Sequence, residues 1–349
     1  WVDCGKDIIR RMAGGRFGGN APLTFAYNTY FENGENLAES EAGYDKSGTI
    51  LTTNPDFADA AAGDFTIGAS TQQAEFQTGA PKWLVEFNGT LSTVDITVEV
   101  AADEEIVAKI NAAVAAAEKA GSLVGSTTVV LAEKANYALA SSIVTNGSLI
   151  INGNGATIDC TGATEEAASL RSPFIMIGNS PVGTKLGESA YTIIEKIAVD
   201  NLNVKNLATS IFYDNNKQIC VADMTFDTVE FALTTDTVVN EALISYKGGG
   251  AKDFTIKNST ISGNGAVAKY FIRYNNAARL DRYGYDKETE LMVNTYNNNT
   301  FYNLLKEDGQ WGNYSAIAGQ NYVSFDVQKN IWVDCGKDII RRMAGGRFG

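Results

Sequence analysis

The chain has 349 residues, with 28 Lys and Arg against 41 Asp and Glu and no His, for a formal charge of −13. That balance offers no excess of cations to neutralise phosphates, so nucleic acid is not an expected partner. The lack of His excludes Ser–His and Cys–His nucleophile schemes. Gly is frequent at 34, Pro scarce at 5, and Tyr, Phe, Asn and Thr are common, which favours strands joined by tight turns.

Residues 1–18, WVDCGKDIIRRMAGGRFG, recur letter for letter at 332–349. Read past Gly349, the text continues naturally at Gly19-Asn20-Ala21-Pro22. The chain therefore reads as one full period of a longer text: a circular permutant, a window on an exact tandem repeat, or one link of a polymer. Its start, Trp1-Val2-Asp3-Cys4, lacks the basic opening and apolar core of a signal peptide. No stretch is long and apolar enough to span a bilayer, so no membrane insertion is expected. The basic run 8–16 has no GxxxxGK[ST] and reads as a strand and turn with Arg10, Arg11 and Arg16 outward.

Leu23-Thr24-Phe25-Ala26-Tyr27-Asn28 with Tyr30-Phe31 is the strand rung expected to follow Gly349. Asn54-Pro55-Asp56-Phe57, Gly63-Asp64-Phe65-Thr66-Ile67 and Gly79-Ala80-Pro81-Lys82-Trp83 are polar and turn-rich, without that pattern. Residues 84–98 read as a linker. A helix is predicted over 103–120, covering one end of the fold. Ile106, Val107, Ile110, Val114 and Ala117 give its apolar stripe. Asp103-Glu104-Glu105 lie in its first turn, Lys119 in its last, and Gly121 is the stop.

A run of degenerate rungs follows. After Thr127-Thr128-Val129-Val130-Leu131 and 149–158 come Phe174-Ile175-Met176-Ile177, Ile197-Ala198-Val199, Ile219-Cys220-Val221, Phe254-Thr255-Ile256, Leu291-Met292-Val293 and Val323-Ser324-Phe325. The rung starts from Ile197 onward are Ile197, Ile219, Phe254, Leu291 and Val323, a loose but recurrent period. Each rung alternates apolar and polar residues, and Asn or Gly recurs at the bends. Strands at this period without intervening helices predict a parallel β-helix. The competing β-sandwich needs two-residue Asn-Gly hairpin turns that are mostly missing.

Two end segments carry a resemblance. NPDFADAAAGDFTIGAS…GAPKW resembles the closing segment of secreted right-handed β-helix proteins of the pectin-lyase-like superfamily. The helix at 103–120 followed by TTVVL…YALASSIVTNGSLIINGNGATID resembles the opening segment of the same superfamily. The nearest look-alikes are surface β-helix proteins from Bacteroides-type bacteria. The resemblance implies an all-β, right-handed parallel β-helix with one capping α-helix, secreted or on a bacterial cell surface. It puts the family's ending ahead of its beginning. Residues 1–86 become C-terminal-type coils and closing segment, 87–122 linker and cap helix, and 123–349 the main coils.

The chemistry of such relatives is thinly represented. Pectate-lyase relatives hold Ca²⁺ in a carboxylate cluster, and a hard cation needs several converging oxygens. The candidates Asp159, Asp200, Asp214, Asp223 and Asp227 fall in no family motif and read as solvated carboxylates. No metal, cofactor or catalytic residue is expected, and polygalacturonate cleavage is not. The unique cysteines, Cys4/Cys335, Cys160 and Cys220, lack a CxxC and read as small core residues. Tyr283 and Tyr285 in the insert 273–290, and Trp311 and Tyr314 in the insert 306–316, are candidates for stacking on sugar rings. Arg279, Asp281 and Arg282 read as solvated.

The expected function is structural or adhesive. The chain is its own partner, in head-to-tail assembly through Trp1, Cys4, Phe17, Trp332, Cys335 and Phe348. The two copies of the duplicated segment either compete for one coil or stack as consecutive coils, Trp1 near Trp332 and Cys4 near Cys335. Binding or cleavage of polysaccharide is the alternative.

Overall fold

The computed structural model describes residues 28–31, 51, 53–87, 93–119, 122–161, 173–178, 181–185, 192–214, 219–234, 242–246, 249–263, 268–273, 292–313 and 323–336. The chain divides into two compact units, residues 1–94 with 114–124 and residues 95–113 with 125–349.

In the first unit Thr29 and Leu51 form a parallel bridge, with Tyr30 N donating to Leu51 O at 2.8 Å and Leu51 N to Asn28 O at 2.9 Å. A short helix, α1 (Gln72–Glu75), starts at Thr71, whose Oγ1 accepts from Ala74 N at 3.3 Å. Gln73 ties this helix to the bridge: its Nε2 donates to Thr29 Oγ1 at 3.1 Å and to Thr53 O at 2.9 Å. Phe65 meets Phe57 and Trp83 edge-on, at centroid distances of 5.5 and 5.9 Å.

The second unit is a parallel β-helix. Strand β1 (Thr93–Val100) and helix α2 (Ile106–Lys119) precede its coils in the chain. The segment read as linker thus contains a strand, and Val94, Ile96, Val98 and Val100 supply its period-two signal. The helix begins at Ile106, past the acidic run. Glu105 precedes it and caps it, its carboxylate accepting from Val107 N at 3.2 Å and from Ala108 N. Ile106 and Ile110 are buried.

Seven coils follow among the described residues. The first is β2 (Leu123–Leu131), β3 (Asn136–Ala138) and β4 (Ile143–Thr145). The second is β5 (Ser148–Asp159) and β6 (Ile175–Ile177). A two-residue strand, β7 (Thr184–Lys185), runs antiparallel to the next coil, β8 (Thr192–Leu207) with β9 (Phe212–Asp214). Then come β10 (Ile219–Leu233) with β11 (Ala242–Tyr246), and β12 (Gly250–Lys257) with β13 (Thr260–Ser262) and β14 (Ala268–Arg273). The last two are β15 (Met292–Asn297) with β16 (Thr300–Asn313), and β17 (Val323–Gln328) with β18 (Ile331–Cys335). Coil pairs with coil in parallel, building three walls.

Each wall lines the interior with a row of apolar residues stacked coil on coil. One row reads Val129, Ile151, Val199, Phe226, Ile256, Tyr296, Val327. The second wall gives Tyr137, Ile158, Val204, Phe231, Ile261, Phe301, Trp332. The third gives Ile143, Ile175, Phe212, Ile244, Ile272. An unbroken run of ring contacts links Phe174, Phe231, Phe226, Phe254, Phe271 and Phe301, and ends in Trp332 stacked on Phe301 at 5.5 Å and 21°.

The register corrects the rung starts. Leu149, Ile197, Met224, Phe254, Asn294 and Phe325 are successive partners, so the repeat after Ile197 restarts at Met224, Phe254, Asn294 and Phe325. Ile219 pairs with Thr192 and does not start a rung beside Ile197. Phe174-Ile175-Met176-Ile177 is not a rung of its own, because β6 is the third wall of the second coil. Residues 306–313, read as an insert, belong to strand β16.

The first corner repeats with little variation. Asn201, Thr228, Asn258, Asn298 and Lys329 follow mutually paired residues and have φ of 50°, 53°, 52°, 58° and 54°. This left-handed region is one that Asn enters at small cost. Directly after it a ladder of side chains satisfies the turn. Val229 N donates to Ser259 Oγ at 3.1 Å, Ser259 N to Asn299 Oδ1 at 3.0 Å, and Asn299 N to Asn330 Oδ1 at 2.9 Å. Asn206, Asn303 and Asp334 make a second left-handed corner, at 59°, 51° and 51°.

Candidate assembly interface

Among the described residues the first and the seventh coil are covered differently. At the first coil β1 lies beside β2, and Tyr137 Oη donates to Val100 O at 2.8 Å while accepting from Ala132 N at 2.9 Å. Val98 and Val100 are buried there, 4% and 2% exposed. At the seventh coil, β17 and β18 pair, among the described residues, only with β15 and β16. The inward residues of this coil, Phe325, Val327 and Trp332, are half-buried. One coil earlier the same rows hold Tyr296 and Phe301 at 4% and 0% exposure. On the outer face Ile331 (58% exposed) and Val333 (43%) stand beside Tyr302 (49%).

The duplicated segment enters at this coil. Trp332 begins its second copy and Cys335 closes β18 as a buried residue, with Sγ 3.1 Å from Val333 O. Trp332 stacks on Phe301 and so belongs to the core row. The first copy, with Trp1, Cys4 and Phe17, lies outside the described residues, as does Phe348. Tyr283, Tyr285 and Tyr314, and Arg10, Arg11, Arg16, Arg279, Asp281 and Arg282, lie outside them too. Trp311 stands in β16, between the pairs Tyr270–Gln310 and Ile272–Gly312.

The five acidic candidates are distributed along the solenoid, and those with charge partners find them in neighbouring coils. Asp159 meets Lys205 at 3.4 Å, Asp223 meets Lys196 at 2.9 Å, and Asp227 meets Lys257 at 3.0 Å. Pairs this exposed contribute little stability. Asp200 is exposed and pairs in register with Asp227, while Asp214 is fully buried in β9. Among the described residues no three His, Cys, Asp or Glu form a group able to hold a metal ion. Burial pushes the thiols of Cys160 and Cys220 up to about 12 and raises that of Cys335, so none of the three is a thiolate nucleophile at neutral pH.

Asp159 has a testable titration. Asn206 Nδ2 donates to its Oδ1 at 2.9 Å and Thr161 Oγ1 at 2.6 Å, and these bonds hold the carboxyl well below the usual carboxylate range. A depressed folded value stabilises the fold above the unfolded value of about 3.9, and that contribution is lost as pH falls below it. Between pH of about 5 and 3 the unfolding midpoint in urea is expected to drop more for the native chain than for Asp159→Asn. Equal drops would refute the assignment.

The first unit contains a cavity of about 330 Å³ walled by Phe57, Phe65, Ile67, Trp83 and Leu84, with Gln73 at its edge. Lys82 Nζ sits 4.3 Å from the Trp83 ring centroid. Among the described residues no helix is long and apolar enough to cross a membrane. Comparison with known protein families, curated proteins and solved structures finds no match to this chain.

Proposed function

We propose that the protein is a structural, adhesive β-solenoid that assembles head to tail through its duplicated terminal segments. The observation that carries this reading is the half-buried core of the seventh coil, which lies where the second copy of the segment begins. Further coils stacked on such a coil bury the apolar side chains that it leaves half-exposed. The continuation that such a coil needs is written in the same chain, at its other terminus. Contacts between two different surfaces of one protein build open fibres when the rotation does not close a ring.

Membership of the pectin-lyase-like superfamily, a Bacteroides-type source and a place outside the cell or on its surface belong to the same proposal. They rest on the end segments and on the net charge of −13. The test is light scattering across a concentration series, with electron microscopy of the concentrated sample. The expected result is a mass that rises from one chain to linear multiples. A strictly monomeric protein at every concentration would end the proposal.

A further inference from the structure

The cavity of the first unit has the build of a small-molecule site. Its volume of about 330 Å³ is at the small end of ligand pockets, which run from about 300 to 1,000 Å³. Phe57, Phe65, Ile67, Trp83 and Leu84 give it an apolar wall. Phe65 is 41% exposed and Ile67 is buried, so the cavity runs inward from a ring that solvent reaches. None of the described residues that line it is charged. Lys82 stands over the Trp83 ring but is not part of the wall.

Gln73, at the cavity's edge, supplies a polar point. Thr53 O can only accept, so the amide nitrogen must be the atom that faces it at 2.9 Å. The same nitrogen donates its second proton to Thr29 Oγ1 at 3.1 Å. Both N–H groups are thereby used, and the amide cannot turn over without losing them. Its oxygen, Oε1, is buried without a hydrogen-bond partner, on a residue 2% exposed. A buried acceptor that lacks a donor is costly, and a ligand that brings the donor recovers that cost.

We propose that this cavity binds a small neutral aromatic compound with one donor on its ring, of the phenol or indole class, the donor meeting Gln73 Oε1. The site is independent of the head-to-tail reading. Its apolar wall buries the guest ring, and Phe57, Phe65 and Trp83, packed edge to face with one another, offer further ring contacts. An ionised guest would lose its hydration with no counter-charge in the wall. A sugar would bring several hydroxyls to a wall with one buried acceptor left over, since Asn28, Thr29 and Thr78 are already engaged.

Titration calorimetry and saturation-transfer NMR on the full chain test this, with indole as the probe. The expected result is saturable binding. 1-Methylindole, with a methyl group in place of the N–H proton, is expected to bind at least about tenfold more weakly. This pair of probes tests the acceptor without altering the protein. Phe65→Ala removes a ring of the wall at a partly exposed position. It is expected to weaken indole binding at least about fivefold, with the far-ultraviolet circular dichroism unchanged. Phe57→Leu repeats the test should Phe65→Ala fold poorly.

No saturable binding of indole at millimolar concentration overturns the proposal. Equal affinity for the two indoles overturns Gln73 as the contact. Unchanged indole binding in the folded variants overturns this cavity as the site. Indole-3-acetate binding more tightly than indole overturns the neutral class, in favour of a carboxylate paired with Lys82. A monosaccharide that displaces indole overturns the aromatic class.

Discussion

Alanine at Gly249 is expected to cost the fold about 3 kcal/mol, the upper range for overpacking a core. A Cβ at this position would stand 1.5 Å from the carbonyl oxygen of Ile219 and 2.6 Å from its carbon. Both are backbone atoms, so no rotamer change relieves the overlap. Gly249 precedes the pair Cys220–Gly250, the point from which β12 lies on β10 through Lys257. Either the strand moves away, losing ladder hydrogen bonds, or the coil is displaced. Urea unfolding followed by far-ultraviolet circular dichroism measures the effect, and a change below about 0.5 kcal/mol, ordinary for surface substitutions, would contradict the close approach.

Phe301→Ala is expected to cost about 3–5 kcal/mol, the range for removing a buried aromatic side chain. Phe301 is 0% exposed, and its ring lies 5.6 Å from Phe271, 6.4 Å from Tyr296 and 5.5 Å from Trp332. Removing it takes the floor from under Trp332 at the last coil. The unfolding midpoint falls and tryptophan emission shifts to the red, while Phe301→Leu keeps most of the stability. Loss of stability with unchanged emission would mean that Trp332 does not depend on this ring.

The same two regions show what the sequence makes legible. Alternation in Phe254-Thr255-Ile256 and Val323-Ser324-Phe325, with Asn at the corner that follows, reveals the first two walls. Inward positions in these rows are apolar except for buried Asn294, and Asn takes three of the five first-corner positions. Register is harder to read. Ile219-Cys220-Val221 resembles the start of a rung because all three are buried, yet these residues lengthen β10 ahead of the repeating strand.

The third wall is nearly invisible, since β11 is buried at all five positions and shows no alternation. Strand β1 is legible in the alternation of Val94, Ile96, Val98 and Val100 with Asp95, Thr97 and Glu99. The candidate interface is legible as a duplication. Its physical character is not: that Phe325, Val327 and Trp332 sit half-buried on the seventh coil is a property of the stacked coils and of no single rung.

The coil-to-coil hydrogen bonds run along the solenoid axis, and this has a mechanical consequence. A tether of such solenoids joined end to end carries a pulling force through those bonds in series, each coil loaded against its neighbour. Under tension the outermost coil peels first, and the rest hold until their turn. Every coil released frees the chain between paired positions, as from Ile197 to Met224 or from Phe254 to Asn294. That is roughly 90–130 Å of chain at about 3.3 Å per residue. Load is thus turned into stepwise lengthening well before any covalent link is strained. A fibre of this kind absorbs shear as extension and rewinds as the tension falls.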